Sequence, residues 1–222
     1  VKNKFILLFS ISLLLQLELL SQTTWSISTD FSAIRSMKKN QQFWSVGHTI
    51  RSEAHLTKKD GPYVWVSYFI PGKFKNNLTA EAKTTVTNPQ TILFQNKANM
   101  SLRQFNIGWK HYFKGGANTD GTWNLYGMAG FGVIDGKMKN TFQTVIDTSL
   151  YNIPVMDGQA RFKRLTIDLG LGWEALVSGD IYLYNELKVW IPTTDYPTKF
   201  LLANSYAPLI ASLHIGIRIY FE

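Results

Sequence analysis

In the segment Ser212–Glu222 every second residue is large and apolar. Leu213, Ile215, Ile217, Ile219 and Phe221 alternate with Ser212, His214, Gly216, Arg218, Tyr220 and Glu222. Period two marks a strand with two chemically distinct faces. The same alternation runs through Trp25–Ile34, Phe43–Leu56, Tyr63–Pro71, Met100–Phe113, Trp123–Asp135, Arg161–Val177, Ile181–Ile191 and Pro208–Phe221, and no period of 3.6 competes with it beyond residue 22. The connections 57–61, 114–121 and 178–180 are short and carry the Gly, Asn and Asp that tight hairpins demand. Those at 72–99, 136–160 and 192–207 are longer, and 35–42 lies between. Eight antiparallel segments with both ends on one side describe an up-and-down barrel.

Two barrels share this pattern. A soluble one turns its apolar face inward around a ligand, whereas an outer-membrane one turns it outward into lipid. The opposite face favours lipid. In Arg161–Val177 the apolar Leu165, Ile167, Leu169, Leu171 and Trp173 alternate with Arg164, Thr166, Asp168, Gly170, Gly172 and Glu174. Glycines, tyrosines and charges of both signs suit a narrow lumen. On a solvent-facing strand the glycines would weaken pairing without return. Aromatic placement agrees. With both termini periplasmic, Trp25, Trp109, Trp123, Trp173 and Phe221 belong to the apolar phase and gather at the periplasmic rim, an interfacial girdle, with Trp44 at the opposite rim. Short turns on that side and longer loops on the other complete the pattern. A mean hydropathy of −0.08 excludes a polytopic helical protein and suits a barrel in which only alternate residues meet lipid.

The N-terminus adds a targeting segment. Lys2 and Lys4 precede an apolar run from Phe5 to Leu15, which Gln16 and Glu18 then interrupt. The run is too short to span a bilayer and has the layout of a secretory signal peptide. The expected organisation is a signal peptide at 1–22 and an outer-membrane barrel domain at 23–222.

The segments "WNLYGMAGFGV" (123–133), "LTIDLGLGWE" (165–174) and "IGIRIYF" (215–221) resemble the small eight-stranded outer-membrane β-barrel proteins of Gram-negative bacteria. The resemblance covers about residues 24–221 and implies an outer-membrane location. It also implies a closing strand, ending at Phe221, that the barrel-assembly machinery reads; here Glu222 follows that Phe. Members of the family are structural, adhesive, porin-like or enzymatic, so the fold leaves function open.

On the face assigned to the lumen, Asp30, Glu53, Asp168, Glu174 and Glu186 stand against Arg51, Lys110, Arg164, Lys188 and Arg218. Five acids and five bases predict an interior ion-pair network, because an unpaired buried charge is costly. Eight strands leave little bore, so the network is expected to plug the barrel rather than form a selectivity ring. The phase of Tyr63–Pro71 is open, and Tyr63, Trp65 and Phe69 fit either face. Ser212 and His214 share the lumen face with Glu174, a nucleophile, base and carboxylate that an acyl-transfer enzyme would need. Any strand with one polar face yields such pairs, so no catalytic residue is assigned, and a hydrogen-bonded interior histidine is the expectation for His214. His48, His55 and His111 show no metal-ligand spacing, and the chain has no cysteine. Neither metal nor cofactor is expected.

The net charge of +8 raises nucleic acid as a partner, but no dense basic run is present and that partner is set aside. Residues 84–94 read as a hairpin above the membrane, and 136–160 is too apolar for a loose tether. These segments are expected either to pack on one another over the barrel mouth or to form a recognition surface. The expectation is a surface-interaction or structural barrel whose partners are outer-membrane lipid, the assembly machinery and an extracellular ligand or protein. The alternatives are a membrane-embedded lipid acyl hydrolase or a small porin.

Overall fold

The computed structural model describes residues 23–117, 123–195 and 198–221. The expected signal peptide lies outside the described residues. The strands are β1 (Thr24–Ser36), β2 (Trp44–His55), β3 (Asp60–Ala82), β4 (Thr91–Lys114), β5 (Trp123–Phe142), β6 (Tyr151–Asn152), β7 (Gly158–Ser178), β8 (Ile181–Pro192) and β9 (Ile210–Phe221). All except the short β6 pair antiparallel with their neighbours in chain order. The ring closes where β1 meets β9, from Trp25 opposite Phe221 to Ser36 opposite Ile210. Closure leaves no strand edge within the ring, which is what a bilayer requires of a spanning sheet.

The apolar face points outward. Phe131 is 68% exposed, Leu187 64% and Leu171 61%, values that belong in hydrocarbon rather than water. Trp25, Trp109, Trp123, Trp173 and Phe221 are likewise exposed on the outer wall. Trp44 stands at the other rim with the Arg35 guanidinium 5.1 Å from its ring centre. The open question about β3 is settled: Tyr63, Trp65 and Phe69 are buried and face inward. Lumen volume is shared between rings and glycines. A Cβ on Gly172 would lie 2.5 Å from the Tyr126 ring, and one on Gly108 would lie 2.4 Å from the Tyr63 hydroxyl. These glycines are there for the space they leave.

The wall is taller on one side than the sequence pattern suggested. β1, β2, β8 and β9 have 12 or 13 residues, whereas β3, β4, β5 and β7 have 20 to 24. The segment 72–99, read as a long connection containing a hairpin, is continuous strand apart from a turn at 83–90. Strand also extends β5 to Phe142 and starts β7 at Gly158, shortening that connection to 143–157. The physical reason is an inversion of sidedness. Along β4 the outward residues Trp109, Ile107 and Phe105 give way to Arg103, Asn99 and Lys97, while the inward series becomes Leu102, Met100 and Ala98. Below this level the outside is lipid; above it the outside is water, and the same alternation serves the opposite environment. β3 reaches this level through a register shift between Phe69 and Gly72. Pro71, which has no N–H to donate, sits in that shift.

Candidate functional site

Among the described residues, buried charged side chains of both signs converge in the lumen. β2 points Arg51 and Glu53 inward, β4 Lys110, β7 Glu174, β8 Glu186 and Lys188, and β9 Arg218; all are buried. They form a continuous chain of alternating sign. Lys188 lies 2.7 Å from Glu186 and Arg51 Nη1 lies 2.5 Å from Glu186 Oε1. Arg51 Nε meets Glu53 at 2.6 Å, and Lys110 bridges Glu53 at 3.1 Å and Glu174 at 3.4 Å. Arg218 ends the chain with two contacts to Glu174, Nε to Oε2 at 3.1 Å and Nη2 to Oε1 at 2.7 Å. Most of these links join strands that are not neighbours in the wall, so the chain crosses the bore. Tyr126 donates to Glu186 at 2.7 Å and Tyr112 to Glu174 at 2.8 Å, using acceptor capacity the cations leave. Over the network lies an apolar layer that includes Trp65, Phe69 and Trp190, with ring centres 5.7 Å apart for Trp65–Trp190 and 5.5 Å for Phe69–Trp190.

Three of the expected network residues do something other than expected. Asp168 is buried but forms no ion pair; Gln104 donates to its Oδ2 at 2.7 Å, and Asn106 donates to the same oxygen. Asp30 is shared by His214, whose Nδ1 lies 3.2 Å from both carboxylate oxygens, by Tyr184 at 3.0 Å and by Ser32. Arg164 forms no ion pair with a lumen acid, which corrects the sequence expectation. It sits at the level of the sidedness inversion, between Lys163 and Leu165, and donates to the backbone of Ala207 at 3.3 Å and to Asn204 Oδ1 at 3.4 Å, so it ties down the 193–209 connection.

Ser212 and His214 do meet, with Oγ 2.9 Å from Nε2. The third member is Asp30 and not Glu174, which is engaged by Arg218 and Lys110. The substitution follows from ring closure: the β1–β9 register sets Ser32 opposite His214 and Asp30 opposite Gly216, where a Cβ would lie only 2.6 Å from Asp30 Cβ. This has the connectivity of a hydrolytic triad, but Ser212 is 4% exposed, His214 0% and Asp30 5%. A depression of about 620 Å³ does exist at Gly127, Ala129 and Gly170, in the lipid-facing wall. Among the other histidines, His55 meets Ser26 at 2.8 Å in the lumen, and His111 pairs with Asp60 at 2.7 Å at the rim where β1 begins and β9 ends. Among the described residues no group of three or more potential metal ligands converges.

The mouth is covered by its own connections. Leu78, Ala80 and Phe94 from the tall hairpin pack with Ile146, Tyr151 and Val155 from the 143–157 connection, and Leu202 joins them. β6 pairs with the top of β3, Asn140 donates to the carbonyls of Met156 and Phe200 at 2.9 Å, and Gln41 donates to that of Ala203 at 2.9 Å. Of the two sequence readings of these loops, mutual packing is present. The outward lysines of the tall wall carried no assignment in the sequence reading; the signal for them was alternation that persists while its polarity changes sides.

No protein-family model matches the chain, and no curated protein matches it in sequence. Solved structures do. Neisserial surface protein A aligns with a TM-score of 0.53 at 10% identity, over 89% of this chain and 97% of its own. The outer membrane protein OprG from Pseudomonas aeruginosa aligns with a TM-score of 0.50 at 9% identity, over 90% of this chain and 96% of its own. At such identities the likeness is one of fold: a small, eight-stranded outer-membrane β-barrel.

Proposed function

We propose that this outer-membrane barrel is a closed scaffold holding a folded extracellular platform for surface interactions, with no pore and no catalytic role. The observation that carries the reading is the unbroken chain from Lys188 through Glu186, Arg51, Glu53, Lys110 and Glu174 to Arg218. A conducting lumen needs charges left free to meet passing ions; here each one holds another, in a bore that eight strands make just wide enough for side chains. The platform is the tall wall of β3, β4, β5 and β7, with the connections packed against its inner face. The outward Phe221 that ends β9 is the feature the assembly machinery would engage. In planar bilayers the purified protein is expected to give no steady current. A large, stable open state would overturn the closed reading and make this a porin.

One observation favours the enzymatic alternative, the Ser212–His214–Asp30 connectivity. Burial of all three weighs against it, since an acyl chain must reach the nucleophile. A fluorophosphonate probe applied to the folded protein in vesicles is expected to leave Ser212 unlabelled. Labelling that is lost in Ser212→Ala, together with a change in lipid A mass when the protein is expressed, would establish the enzyme.

A further inference from the structure

Above the apolar belt the outer face of the tall wall carries charge of nearly one sign. In the lowest row Tyr68, Arg103, Asp135 and Lys163 stand side by side on β3, β4, β5 and β7. One row higher Lys137 lies directly opposite Arg161, and higher again Lys73 and Lys139 flank Asn99. At the next level Lys75 lies directly opposite Lys97. All of these lysines are exposed. The ion pairs among the described residues lie in the lumen or, for His111–Asp60, at the periplasmic rim, so above the lowest row, where Asp135 stands between Arg103 and Lys163, none neutralises the basic side chains of these rows. Like charges directly across a strand pair destabilise a sheet. Two such pairs, Lys75–Lys97 and Lys137–Arg161, therefore represent an unbalanced cost in the isolated chain.

We propose that this face docks the phosphorylated headgroup of an outer-leaflet glycolipid. Three features choose that occupant. First, the face looks sideways from the barrel rather than up from its mouth, toward neighbouring lipids. Second, it begins where the apolar belt stops, at Phe105 and Arg103 on β4 and at Leu165 and Lys163 on β7. Third, its height exceeds a phospholipid headgroup. The six residue steps from Arg103 to Lys97 span roughly 20 Å along the strand, or roughly 15 Å of height at the usual strand tilt of about 40°. A phosphate-bearing saccharide extends over that distance; a simple phosphodiester does not. At the upper level a depression of about 380 Å³ is lined by Lys73, Lys75, Lys97 and Asn99, where a phosphate group would meet three ammonium groups. The inference rests on the outer-membrane placement and not on the closed lumen, so a conducting channel would leave it standing.

The test uses the folded protein in phosphatidylcholine vesicles doped with lipopolysaccharide, with the same lipopolysaccharide after chemical dephosphorylation, or with phosphatidylglycerol at matched charge. Glycolipid retained through detergent extraction is measured for the parent, for K75Q/K97Q/K137Q, and for K58Q/K59Q/K114Q, which removes as many charges from the periplasmic side. The parent and the periplasmic variant are expected to retain phosphorylated lipopolysaccharide selectively, and the face variant to lose affinity on the order of tenfold or more. Without glycolipid, the face variant is expected to unfold at the same urea concentration as the parent or a higher one, because repulsion is relieved; this also verifies that it folds. Equal losses in the two variants, equal retention of phosphatidylglycerol, indifference to dephosphorylation, or stronger capture of a soluble sulfated oligosaccharide would each overturn the proposal.

Discussion

The lumen and the outer face of the tall wall are built from the same alternation yet treat charge in opposite ways. In the lumen Arg51, Lys110, Lys188 and Arg218 each meet a carboxylate within 3.4 Å or less. On the outer face Lys75 meets Lys97 and Lys137 meets Arg161. The difference follows from what surrounds each. Side chains sealed inside a protein must find partners within it, whereas side chains beside headgroups and water have partners supplied from outside. One region is internally balanced; the other is complete only in its membrane.

The comparison is broken most severely from the inside. Glu174→Gln removes the shared partner of Arg218 and Lys110 and is expected to destabilise the barrel by about 3–5 kcal/mol, read by urea titration in vesicles. A cost below about 1 kcal/mol would mean that the lumen charges are well hydrated. Ile215→Arg probes the lipid-facing wall between these regions. Phe221 ends β9 at the rim where β1 begins, so Ile215, six residues back along the strand, is expected near the bilayer midplane. A cation there is expected to cost about 2–4 kcal/mol, and a variant as stable as the parent would remove the lipid-facing assignment. Ser212→Ala removes the hydroxyl that meets His214 while leaving the Asp30 contacts in place. Its expected cost is about 1 kcal/mol, the net value of one hydrogen bond, with no change in lipid A. Lys75→Gln on the outer face is the smallest perturbation, expected within about 0.5 kcal/mol in zwitterionic detergent.

What was legible in the sequence was whatever keeps one sidedness. From Leu165 to Trp173 the apolar phase always faces lipid, so strand, face and girdle follow from period two alone. The top of the wall is hidden in the sequence because Phe105 and Arg103 share a phase but not an environment, and continuous apolar alternation stops between them. The network was recognisable as a set because inward phase and charge are both sequence properties. Its pairing was not, because that depends on barrel shear. Only the closure register brings Asp30, rather than Glu174, to His214. Arg164 shares the lumen phase, but its height above the network gives it a loop carbonyl and an amide for partners.

The most direct test of lumen self-sufficiency is a double-mutant cycle on its bidentate pair, Glu174 and Arg218. Urea titrations in vesicles would compare Glu174→Gln, Arg218→Met and the double variant with the parent. Removing both partners leaves fewer uncompensated charges than removing either, so the double variant is expected to cost less than the sum of the single variants by at least about 1 kcal/mol. Strictly additive costs would contradict the account, because Glu174 and Arg218 would then be satisfied independently, as hydrated groups in an open lumen are.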